Sequence, residues 1–268
     1  MSGNARTRDG TAFDPTHALV VRTTVDATTE ARATAAAVDA VLDDADVVTV
    51  RVDLQALASD HPGVAGDLRA AFTPTADERD DRTGPGVRTL RAPVAAGREA
   101  LSAVLALDSV HRFVAVERVD AFRDGRQVLA YVPDHGRFRI DADAAADPDA
   151  LLGRVADALA TEPAGVLPAR PLATWIDAGT RYALEPPSLC VNDDACFDLG
   201  ALERVALDPD DGVVRVAWTT GDGLAARALD ALGPNRPARL RFDATSRYDR
   251  VATAFRTVAD ALDVPVDD

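Results

Sequence analysis

The sequence contains Arg137-Phe138-Arg139-Ile140-Asp141-Ala142, and it repeats the same pattern as Arg239-Leu240-Arg241-Phe242-Asp243-Ala244. Each copy precedes a helix-patterned segment that ends in Val-Ala-Asp-Ala-Leu, at 155–159 and at 258–262. Charged and apolar residues alternate in both copies, which is the pattern of a strand with one buried face and one wet face. We therefore predict a half-buried strand followed by a helix, used twice. Such an internal repeat indicates architecture before it indicates activity.

Further matches lie upstream of the two copies and in the same order. They are Glu117-Arg118-Val119 with Glu203-Arg204-Val205, Asp124-Gly125 with Asp211-Gly212, and Ala130-Tyr131 with Ala217-Trp218. The spacing between matched residues grows after Trp218, so the second copy carries about 16 extra residues within 219–238. Loops inserted on a rigid scaffold often carry binding, and drift between two copies is the alternative.

The charge of the chain is the main feature of its composition. Among 268 residues, 44 acidic groups oppose 29 basic ones, for a net charge of −15, and every basic residue except histidine is Arg. This composition resembles haloarchaeal proteins, which work in a cytosol with molar K⁺. Self-repulsion is screened there because the Debye length is about 3 Å at 1 M salt and about 30 Å at 0.01 M. We expect folding to depend on salt; a mesophile with a high-GC genome is the alternative.

Several protein classes conflict with the sequence. A P-loop of the standard type needs a lysine, and the chain has none. No window of 18 apolar residues exists, and the opening Met1–Asp14 is polar, so we expect a cytoplasmic protein with a disordered tail over 1–16.

Cys190 and Cys196 do not have C-x-x-C spacing. A hairpin around Asn192–Asp194 would place their sulfurs opposite each other, so two inert thiols and a disulfide both stay open.

The periodicity predicts an α+β protein with an N-terminal mixed α/β half. Its domain spans 17–160 and begins with a βαβα order, followed by three antiparallel strands and a helix. The predicted strands are 18–24, 47–54, 87–91, 112–122, 127–132 and 137–141, and the predicted helices are 28–42, 63–72, 94–107 and a helix after Asp147-Pro148. Residues 73–86 are expected to be a loop, and the Pro-rich stretch 161–174 a linker between domains.

The second domain, 175–264, is predicted as a small antiparallel barrel or sandwich with a C-terminal amphipathic helix. Short strands are expected at 180–185, 188–192, 196–199, 202–207, 213–218 and 238–244. In the helix Tyr248–Leu262, the residues Val251, Phe255, Val258 and Leu262 recur at helical spacing. Ser246 and Asp249 imitate a capping box.

Short antiparallel strands closed by one amphipathic C-terminal helix resemble the pleckstrin-homology-like superfold. The likeness covers residues 178–264, and 85–160 less closely as a divergent first copy; several haloarchaeal families look like tandem versions of such domains. The resemblance implies a binding scaffold and no particular chemistry.

A locally basic run in this acidic chain supplies the candidate site. The residues expected to contact a partner or an anion are Arg236, Arg239, Arg241, Arg247 and Arg250. The planar guanidinium matches carboxylate and phosphate. Alternatively, Arg239 and Arg241 form the wet side of a strand and pair with neighbouring Asp. Nucleic-acid binding is disfavoured because molar salt removes the gain from counterion release.

Other chemistries have weaker signals. Two Asp clusters, at 141–149 and 208–211, lack the EF-hand plan and fit a helix start and a tight turn. The four histidines are scattered, and Ser109 with His111 lacks a nucleophile elbow. We therefore expect no cofactor and no metal, and a non-catalytic binding or adaptor protein for a protein or small ligand. A hydrolase or transferase site in the N-terminal half is the alternative, and lipid-headgroup binding a third class.

Overall fold

A computed structural model describes residues 13–75, 86–107, 109–192, 194–219 and 236–268. Its fold class is α+β, with antiparallel sheets and a C-terminal helix. The described chain forms two compact units: the first contains residues 13–16 and 34–158, and the second contains 17–33 and 159–268. We describe each unit separately.

The secondary structure elements are numbered in chain order. The strands are β1 His17–Val21, β2 Val47–Asp53, β3 Thr73–Pro74, β4 Val87–Pro93, β5 Val116–Arg123, β6 Arg126–Val132, β7 Arg137–Ile140, β8 Ala164–Pro168, β9 Ala173–Asp177, β10 Thr180–Glu185, β11 Ser188–Val191, β12 Ala195–Asp198, β13 Leu202–Asp208, β14 Val213–Trp218, β15 Arg239–Arg241 and β16 Val266–Asp267. The helices are α1 Ala27–Leu42, α2 Leu54–Asp60, α3 Pro62–Ala71, α4 Val94–Leu105, α5 Ser109–Ala115, α6 Pro148–Ala158 and α7 Thr245–Leu262.

In the first unit, six strands form one sheet in the order β3-β4-β2-β5-β6-β7. Every neighbouring pair in this order is antiparallel. The antiparallel sheet with its helices makes this half α+β, in agreement with the predicted fold class. The sequence of the central strand β2 explains its position, because every second residue, Val48, Val50 and Val52, is apolar and fully buried.

The strand expected over 112–122 is wrong at its beginning. Residues 109–115 form α5, and β5 starts at Val116. The β-branched and aromatic residues of this stretch favour a strand, but the helix lets Arg112 and Ala115, three residues apart, be buried together. The loop expected over 73–86 is also partly wrong, because Thr73 and Pro74 pair with β4; residues 76–85 lie outside the described chain.

The second unit contains three sets of paired strands. β1 pairs with β8, four antiparallel strands follow the order β12-β11-β10-β9, and a third sheet follows β15-β14-β13-β16. The linker expected over 161–174 is wrong, because this stretch includes β8 and the start of β9. Its prolines hide the strand in the sequence, although Pro163 and Pro168 stand only before and at the end of β8, where a proline is tolerated.

Helix α7 fills the core of the second unit. The predicted buried positions Val251, Phe255, Val258 and Leu262 are all at most 1% exposed, which confirms the amphipathic pattern. The helix begins at Thr245, so its N-cap is Ala244 and no side chain caps it. The capping box expected from Ser246 and Asp249 is therefore wrong, because Ser246 already lies inside the first turn.

Both copies of the Arg-Φ-Arg-Φ-Asp-Ala pattern form a strand that leads to a helix, as predicted. The apolar positions are buried in both copies: Phe138 and Ile140 in β7, Leu240 in β15, and Phe242 directly after β15. Each strand closes an antiparallel meander, β5-β6-β7 or β13-β14-β15. The turns predicted at Asp124-Gly125 and Asp211-Gly212 join the first two strands in both. The duplication itself stays a prediction.

Cys190 and Cys196 stand opposite each other on β11 and β12 and form a disulfide. The sequence left two inert thiols and a disulfide as alternatives, and the structure has the disulfide. At the start of the chain, Thr16 donates to Ile140 O and accepts from Ala142 N, so the end of the predicted tail is held; residues 1–12 lie outside the described chain. None of the described helices combines the length and hydrophobicity of a membrane span.

Candidate functional site

Arginines from two neighbouring strands of the second unit share one surface. On β15, Arg239 and Arg241 are exposed and flank Leu240, which is buried in the core with α7. Arg239 lies directly opposite Arg215 of β14. Because side chains alternate along a strand, these arginines lie on the side of the sheet away from α7. We call Arg215, Arg239 and Arg241 the arginine surface.

The charges around the arginine surface are only partly paired. Arg215 binds Asp208 at 3.2 Å, and toward the other edge of the sheet Arg204 of β13 binds Asp267 of β16 at 3.1 Å. Within the described chain, neither Arg239 nor Arg241 has a carboxylate within ion-pair distance. The alternative interpretation is therefore right that these two arginines form the wet side of a strand, but among the described residues they do not pair with a neighbouring Asp.

The other three predicted arginines lie elsewhere. Arg247 and Arg250 are exposed on α7, where Arg247 donates to Ile176 O at 3.4 Å. Arg236 is half-buried and donates to Thr219 O at 2.7 Å. The structure therefore separates the basic run into a sheet surface, a helix surface and a loop contact. Arg239 and Arg241 stay together on the sheet, and Arg247 and Arg250 stay together on α7.

The ends of the inserted segment are tied to each other. Trp218 Nε1 donates to Pro237 O at 2.8 Å, and Val216 N donates to Ala238 O at 3.0 Å. Together with the Arg236 contact, these bonds close the base of the insertion beside β14. The insertion itself, proposed from sequence as a binding loop, lies outside the described residues over 220–235.

A carboxylate with a perturbed pKa lies near the base of the insertion. Burial raises the pKa of Asp198, while the Gly200 N–H and the charge of Arg236 act in the opposite direction. Asp198 Oδ1 accepts from Gly200 N at 2.8 Å, which fixes the turn after β12. Gly200 is required there, since a Cβ at this position would lie 2.1 Å from Val21 O. These contacts explain Asp198 as a structural residue.

The first unit brings together two histidines that the sequence treated as scattered. His61 joins α2 to α3, and His111 lies in α5. Their rings meet edge to face with centroids 4.8 Å apart. The Nε2 atom of His61 is buried and has no hydrogen-bond partner within the described chain. Nothing in the sequence indicates this ring contact, because His61 and His111 are fifty positions apart and lie on different elements.

Beside this pair, Arg112 is fully buried and donates to Leu105 O at 3.3 Å. Ser109, considered together with His111 from the sequence, is the first residue of α5.

The Asp clusters have the structural roles expected for them. Asp147 accepts from Ala150 N at 3.1 Å at the start of α6, and Asp208 accepts from Asp211 N at 3.1 Å in the turn before β14. Among the described side chains, no three His, Cys, Asp or Glu form a group suited to a metal ion.

Comparisons with known proteins give no relative from which a role can be transferred. No protein-family model matches the sequence, and neither the curated proteins nor the solved structures contain a match.

Proposed function

We propose that this protein is a non-catalytic binding protein that holds an acidic segment of a protein partner on its arginine surface. One observation carries the proposal: Arg239 and Arg241 are exposed side by side on one face of β15 and have no carboxylate partner within the described chain. This occurs in a chain with a net charge of −15, where carboxylates are abundant.

The arrangement has a cost for the fold. Arg239 and Arg215 are directly opposite on neighbouring strands, and like charges in that position destabilise a sheet by a few tenths of a kcal/mol to about 1 kcal/mol. Nearby Asp208 offsets part of this repulsion through Arg215. A partner that brings carboxylates to Arg239 and Arg241 would offset the remainder.

Arginine suits recognition in high salt. Long-range attraction is lost when the Debye length falls to about 3 Å at 1 M salt. A guanidinium can still form two parallel hydrogen bonds to one carboxylate, and that geometry does not depend on a long-range field. Nucleic acid is a weaker candidate than an acidic protein segment, because its binding relies on counterion release.

The position of β15 also suits a partner. Among the described strands, β15 is at the edge of its sheet, so an extended segment would have backbone groups to pair with while its acidic side chains meet the arginines. The competing interpretation is that Arg239 and Arg241 only guard the edge against unwanted strand pairing.

Titration of a fluorescent Glu/Asp-rich peptide tests the proposal across a KCl series. The double variant Arg239→Gln/Arg241→Gln should lose peptide binding. The control Arg247→Gln/Arg250→Gln removes the same charge from α7 and should bind like the wild type. Equal losses in both variants, no binding by the wild type, or preference for a single-stranded oligonucleotide would each overturn the proposal.

The order of elements supports the further proposal that residues 175–264 form a pleckstrin-homology-like domain. Four antiparallel strands, β9 to β12, precede three, β13 to β15, and α7 follows and packs into the core. The proposed role needs only a scaffold of this kind. An experimental structure of the second unit would contradict the assignment if its two sheets did not pack on each other.

The proposed location is a cytoplasm with molar K⁺. The acidic charge supports it, whereas the Cys190–Cys196 bridge is more typical of oxidising compartments. Alkylation of thiols at the moment of cell lysis tests the point. Two alkylated cysteines are expected for a reducing cytoplasm, and a fully protected pair would contradict it.

A further inference from the structure

Three of the four histidines come from segments at one end of the first unit's sheet. His61 follows β2 through α2, His111 precedes β5 in α5, and His135 ends the turn that follows β6. Because β2, β5 and β6 are antiparallel neighbours, the end of β2, the start of β5 and the end of β6 lie together. Accordingly, α5 contacts both α2 and the turn at 133–135.

The geometry of the His61 and His111 rings fits two ligands of one metal ion. Imidazole nitrogens bind Zn²⁺ at about 2.0–2.1 Å, so two rings on one ion have centroids about 4.5 to 5.2 Å apart for N–metal–N angles from 90° to tetrahedral. The observed separation is 4.8 Å, and the ring planes are nearly perpendicular.

Ring packing alone explains the distance between the two rings, but it does not explain why a ring nitrogen of His61 is buried without a hydrogen-bond partner. Edge-to-face contacts between aromatic rings have similar centroid separations. However, the His61 Nε2 atom is buried and lacks a hydrogen-bond partner within the described chain. A buried polar atom without a hydrogen-bond partner has lost its bonds to water and gained none in return, which costs free energy. A metal ion bound at the nitrogen would compensate that loss.

The local backbone supports a fixed position for His61. It ends α2, with its N–H bonded to Leu57 O at 2.8 Å, and it precedes Pro62 at the first position of α3. The two neighbouring helices therefore fix the backbone position of His61.

From these observations we propose that His61 and His111 bind one divalent transition-metal ion, with Zn²⁺ as the ion to test. Imidazole suits Zn²⁺, Cu²⁺ and Ni²⁺, whereas carboxylates suit Mg²⁺ and Ca²⁺. With two protein ligands, the remaining coordination positions belong to solvent or to a ligand, which is more open than a catalytic zinc site with three protein ligands. This site lies in the first unit and does not depend on the arginine surface of the second.

Calorimetric titration of the full chain with Zn²⁺ alone tests the proposal. Excess Mg²⁺ in the buffer occupies the many carboxylates, so that imidazole binding is isolated. The wild type should bind one equivalent. His61→Asn, which keeps a residue favoured at a helix N-cap, and His111→Gln should each weaken binding by about tenfold or more. His17→Gln, which changes the histidine of β1 in the second unit, is the control and should bind like the wild type.

Thermal unfolding gives a second readout that does not depend on the variants folding normally. Zn²⁺ should raise the midpoint of the wild type and of His17→Gln, because an ion that binds only the folded state stabilises it. No saturable binding by the wild type, unchanged binding in His61→Asn or His111→Gln, or an equal loss in His17→Gln would overturn the proposal.

Discussion

A methyl group added at Gly165 is expected to destabilise the second unit strongly. Gly165 lies on β8, and a Cβ built on it would be 2.1 Å from the carbonyl oxygen of Ala261 and 3.0 Å from the Ala261 Cβ. Uncrowded contacts between such atoms are about 3.5 Å or longer, so Gly165→Ala requires a shift of more than about 1 Å. The obstacle is the backbone of α7, which cannot rotate aside as a side chain can.

The cost follows from what α7 contributes to the core. The same helix buries Phe255, Val258 and Leu262 in the second unit, so moving it disturbs many contacts at once. Overpacking a well-filled core costs about 1–3 kcal/mol and occasionally more. Because the clash is with backbone, we expect Gly165→Ala to lower the free energy of unfolding by about 3 kcal/mol.

Urea unfolding at fixed KCl, followed by tryptophan fluorescence, measures this change. Both tryptophans, Trp175 and Trp218, belong to the second unit. Gly153→Ala is the matched control, because a Cβ at Gly153 meets nothing within 4 Å and α6 gains helix propensity of up to about 1 kcal/mol. The control should not lower the fluorescence midpoint. Equal midpoints for Gly165→Ala and the wild type would refute the close packing of β8 on α7.

Two further predictions concern solution conditions. The melting temperature should rise from millimolar to molar KCl, since a net charge of −15 repels itself over about 30 Å at 0.01 M salt and about 3 Å at 1 M; a melting curve that does not move would contradict the halophilic interpretation. Burial raises the pKa of Asp141, and the charge of Arg126 opposes this shift. The folded state therefore favours the protonated carboxyl group, and the stability that this protonated form contributes is lost as pH rises through the raised pKa. Asp141→Asn should therefore gain stability relative to the wild type between pH 3 and pH 7, and a constant difference over that range would count against this.

Periodic elements could be predicted from the sequence because their pattern is local. The spacing of Val251, Phe255 and Leu262 identified the face of α7, and the alternation around Phe138 and Leu240 identified β7 and β15. These predictions needed only the 3.6-residue and two-residue periods. The end of α7 was correct and its start was not, since the first turn carries no side-chain cap.

The errors occurred where tertiary structure overrides local pattern. Prolines around β8 indicate a linker, yet pairing with β1 makes the segment a strand. The β-branched residues after Ser109 favour a strand, yet α5 forms there and buries Arg112. Neither the pairing partner nor the burial of a charged side chain can be read from a window of one sequence.

The candidate sites show the same limit. Alternation placed Arg239 and Arg241 together on the wet side of one strand, which the structure bears out. It gave no indication that Arg215 lies opposite Arg239, because that depends on the register of β14 and β15. The contact of His61 with His111 depends on three antiparallel strands bringing distant segments to one end of a sheet.

The two copies of the repeated pattern differ in how far their charged side chains are buried. In the first copy Arg139 is half-buried, and Asp141 is buried within 4.0 Å of Arg126. In the second copy Arg239, Arg241 and Asp243 are all exposed. The first copy therefore exposes only Arg137 and uses Arg139 and Asp141 inside its own fold, whereas the second exposes both of its arginines. Since the shared pattern accounts for the strand and the helix, the exposed arginines of the second copy are the feature that the fold does not require, and they are where a partner is expected.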